Sequence, residues 1–288
     1  MSTNTEIREA INTYVRRKGQ TRAGFTSVEG GALIPKELLA PEKEKVDSID
    51  LTKYIRIVPV NHGSGKYPVI HKSNGKMLSI AELERNPELA KPTFTEVEYT
   101  IETYRGYIPV SQEAIDDADF DIAALIADGI KDQDLNTKNE QIADILKTAT
   151  PKVVVGLDGI ITLLNTELKQ FYNNKFYISS SLFNELDLLK DNTGRYLLED
   201  DITVASGKRI KGREVIVLDD EIIGNKKDDL VGFVGDAYEY CTLFDRQKAS
   251  VKWVENDVYG QILAGYVRFD VKAVDEEAGC YITYTPSI

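Results

Sequence analysis

Three short patterns in this 288-residue chain bring chemically capable residues together, and each lacks a part that its chemistry needs. Gly63-Ser64-Gly65-Lys66 offers two glycines and a lysine, the ingredients of a phosphate cradle. A phosphate loop, however, needs four residues between its first Gly and Gly-Lys, a Ser or Thr after the Lys, and a helix behind it. Tyr67 and Pro68 follow here, in a run that reads as strand. Asp117, Asp119 and Asp121 fall at the first three ligand positions of a calcium loop, but Ile122 stands where the obligatory Gly should be and Asp128 where a bidentate Glu belongs. Acids at a helix N-terminus that complement the macrodipole explain them better. His62 and His71 are the only histidines, with no Ser or Cys in a nucleophile-like turn nearby. Cys241 and Cys280 each stand alone, without a second Cys or His at ligand spacing, which argues against both a disulfide framework and a zinc site. The sequence therefore presents no catalytic, cofactor-binding or metal-ligating set.

The elements carrying these residues are easier to read. Residues 111–147 predict a long amphipathic helix. Ile122, Leu125, Ile126, Gly129, Ile130, Ile142, Ile145 and Leu146 recur at helical spacing, and the stripe thins in the middle to Leu135 and polar neighbours. That pattern suits a helix lying across a sheet and partly solvated, with the sheet supplied by 93–108 and 249–284, where 280–284 is expected to close it. Residues 54–60 and 66–71 read as strands, and Asn74-Gly75 is the strongest tight-hairpin signal. Beyond a polar stretch, Val97, Tyr99 and Ile101 alternate with Glu96, Glu98, Thr100 and Glu102. Residues 60–98 thus predict a long two-stranded excursion, poor in core residues and in need of a partner surface. Short helices and strands mix over 156–247: helix from Leu157 to Phe171, strand at 175–179, then a helix capped by Ser180 or Ser181. An α+β domain inserted in the chain is expected there. Residues 1–37, glycine-rich and short of apolar positions, read as an arm that gains order only against another surface.

A net charge of −12 argues against a dedicated nucleic-acid binder. The charge is uneven, with +3 over residues 1–22 and eleven acids against two bases over 96–134. A basic arm and an acidic helix could pair between neighbouring copies, although charge alone favours a solvated tail and a solvated helix face. The absence of an apolar run of membrane-spanning length and of an apolar region behind Met1 predicts a soluble chain that is not exported.

Taken in order, several segments resemble the major capsid proteins of tailed phages, of the Hong Kong 97 type. They are Gly30-Gly31-Ala32-Leu33-Ile34-Pro35, the long excursion, the run from Tyr107 through Asp116 that leads into the long helix, and 191–197 from Asp191 to Leu197. Three more are Ile210 to Val215, Val234 to Tyr238, and Gly265 to Asp270. The resemblance implies an N-terminal arm (1–37), an extended loop (60–98), a peripheral domain (38–59, 99–155 and 248–288) with a spine helix at 111–147, and an axial domain (156–247). It further implies a structural protein without catalysis that self-assembles into hexamers and pentamers of an icosahedral head. Portal and scaffolding proteins are its implied partners, together with double-stranded DNA bound without sequence preference and no membrane. The implied location is the virion, after assembly in the host cytoplasm. Two departures stand out. Some members carry an N-terminal scaffolding segment, whereas this chain starts at the arm. Others cross-link a loop lysine to a neighbour's Asn with help from a Glu; Lys66, Lys72 and Lys76 are available here, but Tyr259 and Tyr266 occupy the positions expected for Asn and Glu, and Asn256 is off register. A shell without covalent cross-links is expected. An encapsulin-like compartment shell and an acidic soluble α+β enzyme are the alternatives.

Overall fold

The computed structural model describes residues 49–71, 76–77, 79, 88–89, 91–110, 122–190, 198–200, 208–256 and 260–286. The arm at 1–37, Asn74-Gly75, the acidic run 111–121 and the segment 191–197 lie outside them.

One long helix and two sheets organise the rest. Helix α1 (Ile122–Lys147) lies on a four-stranded sheet built from β1 (Arg56–Pro59), β4 (Glu102–Val110), β11 (Cys241–Asn256) and β12 (Gly260–Ala273). Their order is β1-β11-β12-β4; β1 runs parallel to β11 and the other pairs are antiparallel. The expected strand at 54–60 is shorter than its apolar pattern suggests, because Leu51–Tyr54 forms a 3-10 turn capped by the Asp50 carboxylate. Helix α1 is buried unequally, as its thinning stripe implies. Ile142, Ala143 and Leu146 are fully covered, while Leu125 is largely exposed. Burying each of the two larger side chains contributes about 1.5–3 kcal/mol. Midway, Lys138 and Asp134 pair at 2.8 Å with little solvent access. The buried Asn139 amide accepts from Leu51 N at 3.0 Å and donates to Ile49 O at 2.7 Å, tying the entry of the chain to the helix.

The second sheet has seven strands in the order β5-β13-β10-β6-β9-β8-β7. These are β5 (Thr150–Val155), β6 (Lys175–Ser179), β7 (Glu199–Asp200), β8 (Lys208–Ile210), β9 (Arg213–Leu218), β10 (Val231–Gly235) and β13 (Gly279–Thr285). Two expectations fail here. Residues 280–284 do not close the sheet of β4, β11 and β12; they pair with β10 and, in parallel, with β5. The boundary at 247 falls inside β11, which runs unbroken through it. Alternation is the same in either sheet, so periodicity could not say which one a strand joins.

The central strands of the larger sheet are buried on both faces. Tyr177, Ile216 and Phe233 face the core shared with α1 and the four-stranded sheet. Phe176, Ile178, Val215 and Val234 face a second core, closed by α2 (Gly156–Thr162), the π-helical turn Leu163–Glu167 and α3 (Ser180–Asp187). Phe171, assigned to the first of these helices from its spacing, is exposed. Helix α3 begins one residue earlier than its serines suggest, since Ser179 Oγ caps it by accepting from Leu182 N at 3.2 Å. Lys211-Gly212, between β8 and β9, makes a tight two-residue hairpin turn, where φ values of 49° and 72° fit type I′.

Candidate assembly surfaces

The third sheet projects as a hairpin. Strand β2 (Ser64–His71) pairs antiparallel with β3 (Thr93–Thr100), from Ser64 opposite Thr100 to His71 opposite Thr93. The connection between them therefore spans 72–92, and Asn74-Gly75 within it lies outside the described residues. The alternation read from 96 to 102 holds: Val97 and Tyr99 are half-buried, Ile101 is buried, and the acids face outward. One continuous alternating run is nevertheless divided at Ile101, since β3 belongs to the hairpin and β4 to the four-stranded sheet.

Aromatic packing anchors the hairpin's base. Phe244, on the face of β11 away from α1, stacks on Tyr99 with centroids 4.6 Å apart and meets Tyr67 edge-on at 5.5 Å. Asp270 accepts from Thr100 N at 2.8 Å, and Gly63 O accepts from Ile101 N at 2.8 Å. Gly65 lets the Tyr99 ring approach: a Cβ there would come within 2.5 Å of the tyrosine oxygen. The outer face of the hairpin carries Lys66 between Glu96 (2.6 Å) and Glu98 (3.5 Å), with Ile70 opposite Phe94 further out. Those last two side chains are 63% and 66% exposed. An apolar pair held in register this far from either core adds little to the subunit and is suited to burial against another chain.

The patterns singled out for chemistry disperse. Lys66 lies within β2, and hydrogen bonding to Glu96 raises its pKa, so it stays a charged partner of two acids and not a free amine. His62 is exposed beside the hairpin base. Lys76 is exposed, Asn256 ends β11 opposite Gly260, and Tyr266 accepts a hydrogen bond from Gln247 at 3.0 Å. Lys72, Tyr259, Asp117, Asp119 and Asp121 lie outside the described residues. Both cysteines are buried and free, and burial lifts each thiol out of the reactive range, Cys280 to about 12. Among the described residues no group of His, Cys, Asp and Glu could hold a metal ion, and no helix is long and apolar enough to cross a membrane.

A polar hub that sequence reasoning missed braces the seven-stranded sheet. Asp220, first residue of α4 (Asp220–Ile223), accepts from Ser181 N (2.9 Å), Ser181 Oγ (2.6 Å), Ser180 Oγ (2.9 Å) and Asp228 N (3.1 Å). Burial alone would raise its pKa, but the donors from Ser181, Ser180 and Asp228 together outweigh it and hold the carboxyl at about 2. A folded-state pKa below the unfolded value contributes stability above that unfolded value and loses it as pH falls through the folded one. Thermal melts should therefore show about 2 kcal/mol lost between roughly pH 5 and pH 2. Asp220→Asn should flatten that segment of the profile; an unchanged acid limb would refute the assignment. The adjacent Ser180-Ser181 pair was the available signal, read as a cap instead of as two donors.

Comparison with known proteins agrees with this architecture. The family model described as "Phage capsid family" matches residues 30–284. No curated protein matches the chain. Among solved structures, the capsid of a native GTA particle is 18% identical with a TM-score of 0.74, over 92% of this chain and all of the other. A chain of Microbacterium phage Oxtober96 is 14% identical (TM-score 0.67, 92% of this chain and 100% of that one), and one from the capsid of cyanophage P-SCSP1u is 11% identical (TM-score 0.59, 94% and 98%). At such identities the structures establish the fold, and the family model, spanning most of the chain, establishes the membership. The mix of helices and sheets gives an α+β fold of the Hong Kong 97 type, and this chain belongs to the phage capsid family as a structural major capsid protein of the virion.

Proposed function

We propose that this subunit assembles, without catalysis, into hexamers and pentamers of an icosahedral head that encloses double-stranded DNA. The observation that carries this reading is the hairpin. Its base is fixed to β11 by Phe244, while Ile70 and Phe94 stand exposed in register, on a chain whose family is one of capsid proteins. Many modest contacts of that sort add up to a closed shell through multivalency. In this reading β1, β4, β11, β12 and α1 form the peripheral domain, and the seven-stranded sheet with its helices forms the axial domain. Portal and scaffolding proteins complete assembly in the host cytoplasm. DNA contacts are sequence-independent and made to phosphates. Lys66, held by Glu96 and Glu98, takes part in no covalent cross-link.

Electron microscopy with light scattering, on the chain alone and co-expressed with the genes beside its own, tests the reading. Closed shells or capsomer rings are expected, running as single chains on a denaturing gel. A uniform monomer under both conditions would overturn the proposal; a ladder of covalent oligomers would overturn the absence of cross-linking.

A further inference from the structure

Among the described residues, the face of the four-stranded sheet turned away from α1 is covered at one end only. There the hairpin base seats on Phe244. Beyond it, Thr103, Arg105 and Tyr107 of β4 stand opposite Arg268, Tyr266 and Ala264 of β12. With Gln247 of β11 they line an open groove of about 480 Å³. Arg105 and Arg268 are diagonal neighbours on adjacent strands, close enough for two like charges to repel unless an anion lies between them. Neither makes an ion pair with any described residue, and Arg268 Nε is shielded from solvent without a hydrogen-bond partner. The nearest carboxylate along the strand, Asp270, is engaged by Thr100 N and Lys272. By contrast, Arg56, Lys66, Lys131, Lys138, Lys147, Lys152 and Lys175 all have carboxylate partners within the subunit.

What sets Arg105 and Arg268 apart is that they lie side by side on one sheet face with no acid paired to either among the described residues, in a chain where acids outnumber bases 47 to 35. We infer that the Arg105–Arg268 groove is a docking site for carboxylates of a second copy of this chain, and this rests on the shell reading above. Arginine's fork of donors suits a carboxylate, and Gln247, Thr103 and the tyrosine hydroxyls supply further polar contacts. Acidic side chains fit better than nucleic acid. A DNA track requires many bases spaced along it, whereas this groove holds two and the chain as a whole repels phosphate.

The full chain, with its co-expressed partners, carries the test. The charge-reversing pair Arg105→Glu and Arg268→Glu should leave the melting temperature near that of the wild type while lowering the yield of closed shells about tenfold or more. The pair Arg105→Lys and Arg268→Lys should still assemble. Zero-length carbodiimide coupling of shells mixed from isotope-labelled and unlabelled copies of that lysine variant should then link position 105 or 268 to an Asp or Glu of another copy. Wild-type shells, with charge-reversed shells in equal yield and no such inter-chain link, would overturn this inference alone. So would a defect confined to DNA-filled particles, which would make phosphate the occupant. A wild-type chain that forms no particle overturns the shell reading and this inference with it.

Discussion

Replacing Ile70 and Phe94 together by threonine should leave the subunit folded and abolish closed shells. The two residues lie opposite each other in the β2–β3 register and are 63% and 66% exposed, so removing them deletes almost no intramolecular packing. Substitutions at such positions change stability by about 0.5 kcal/mol or less, and threonine keeps the strand propensity. In an assembled shell the same pair becomes the apolar centre of a contact. Loss of a central aromatic from an interface costs about 2 kcal/mol or more. That cost recurs at every copy, and a shell held by many weak contacts tolerates a uniform loss poorly. Unchanged melting of the free subunit together with absent shells in electron micrographs is the expected pair of results. Shells of normal size and yield from the double variant would refute the role given to the hairpin.

The largest loss of stability should come from a single methyl group. Gly279 begins β13 opposite Gly235 of β10, where the chain crosses between the two sheets. A Cβ at Gly279 would come within 2.2 Å of the ring edge of Phe233, which is fully buried against Tyr177 and Tyr240 with centroids 5.9 and 5.0 Å away. A Cβ at Gly235, whose φ is 156°, would overlap the backbone of Ala278 and Gly279. The ring cannot withdraw without displacing two other aromatics, and the backbone at Gly235 cannot withdraw at all. Overpacking of this kind costs about 3 kcal/mol at its upper range, which lowers Tm by roughly 6–12 °C in a domain of this size. Gly279→Ala and Gly235→Ala should both show that loss. Gly129→Ala is the control: nothing lies within 4 Å of the added carbon, and an alanine in α1 should stabilise by up to about 1 kcal/mol. Equal melting of all three variants would mean that the two sheets are not joined as described.

Local periodicity alone was enough for some of this protein. The alternation at 96–102, the strand at 175–179, and the two-part stripe of α1 were all legible, because burial on one face repeats every second residue in a strand and every three to four in a helix. The projecting excursion was legible for the converse reason: it holds too few apolar residues to form a core of its own. Pairing was not legible. Strand β13 reads alike whether it closes one sheet or joins the other, and only tertiary contacts choose between them. The Asp220–Ser181 bonds, the Phe244–Tyr99 stack and the Arg105–Arg268 pair each unite residues 39 or more positions apart, through partners that no local window contains. What a residue is can be read in the chain; what it is left without, as the two arginines are left without acids among the described residues, is decided only when the sheet brings every candidate partner into place or keeps it away.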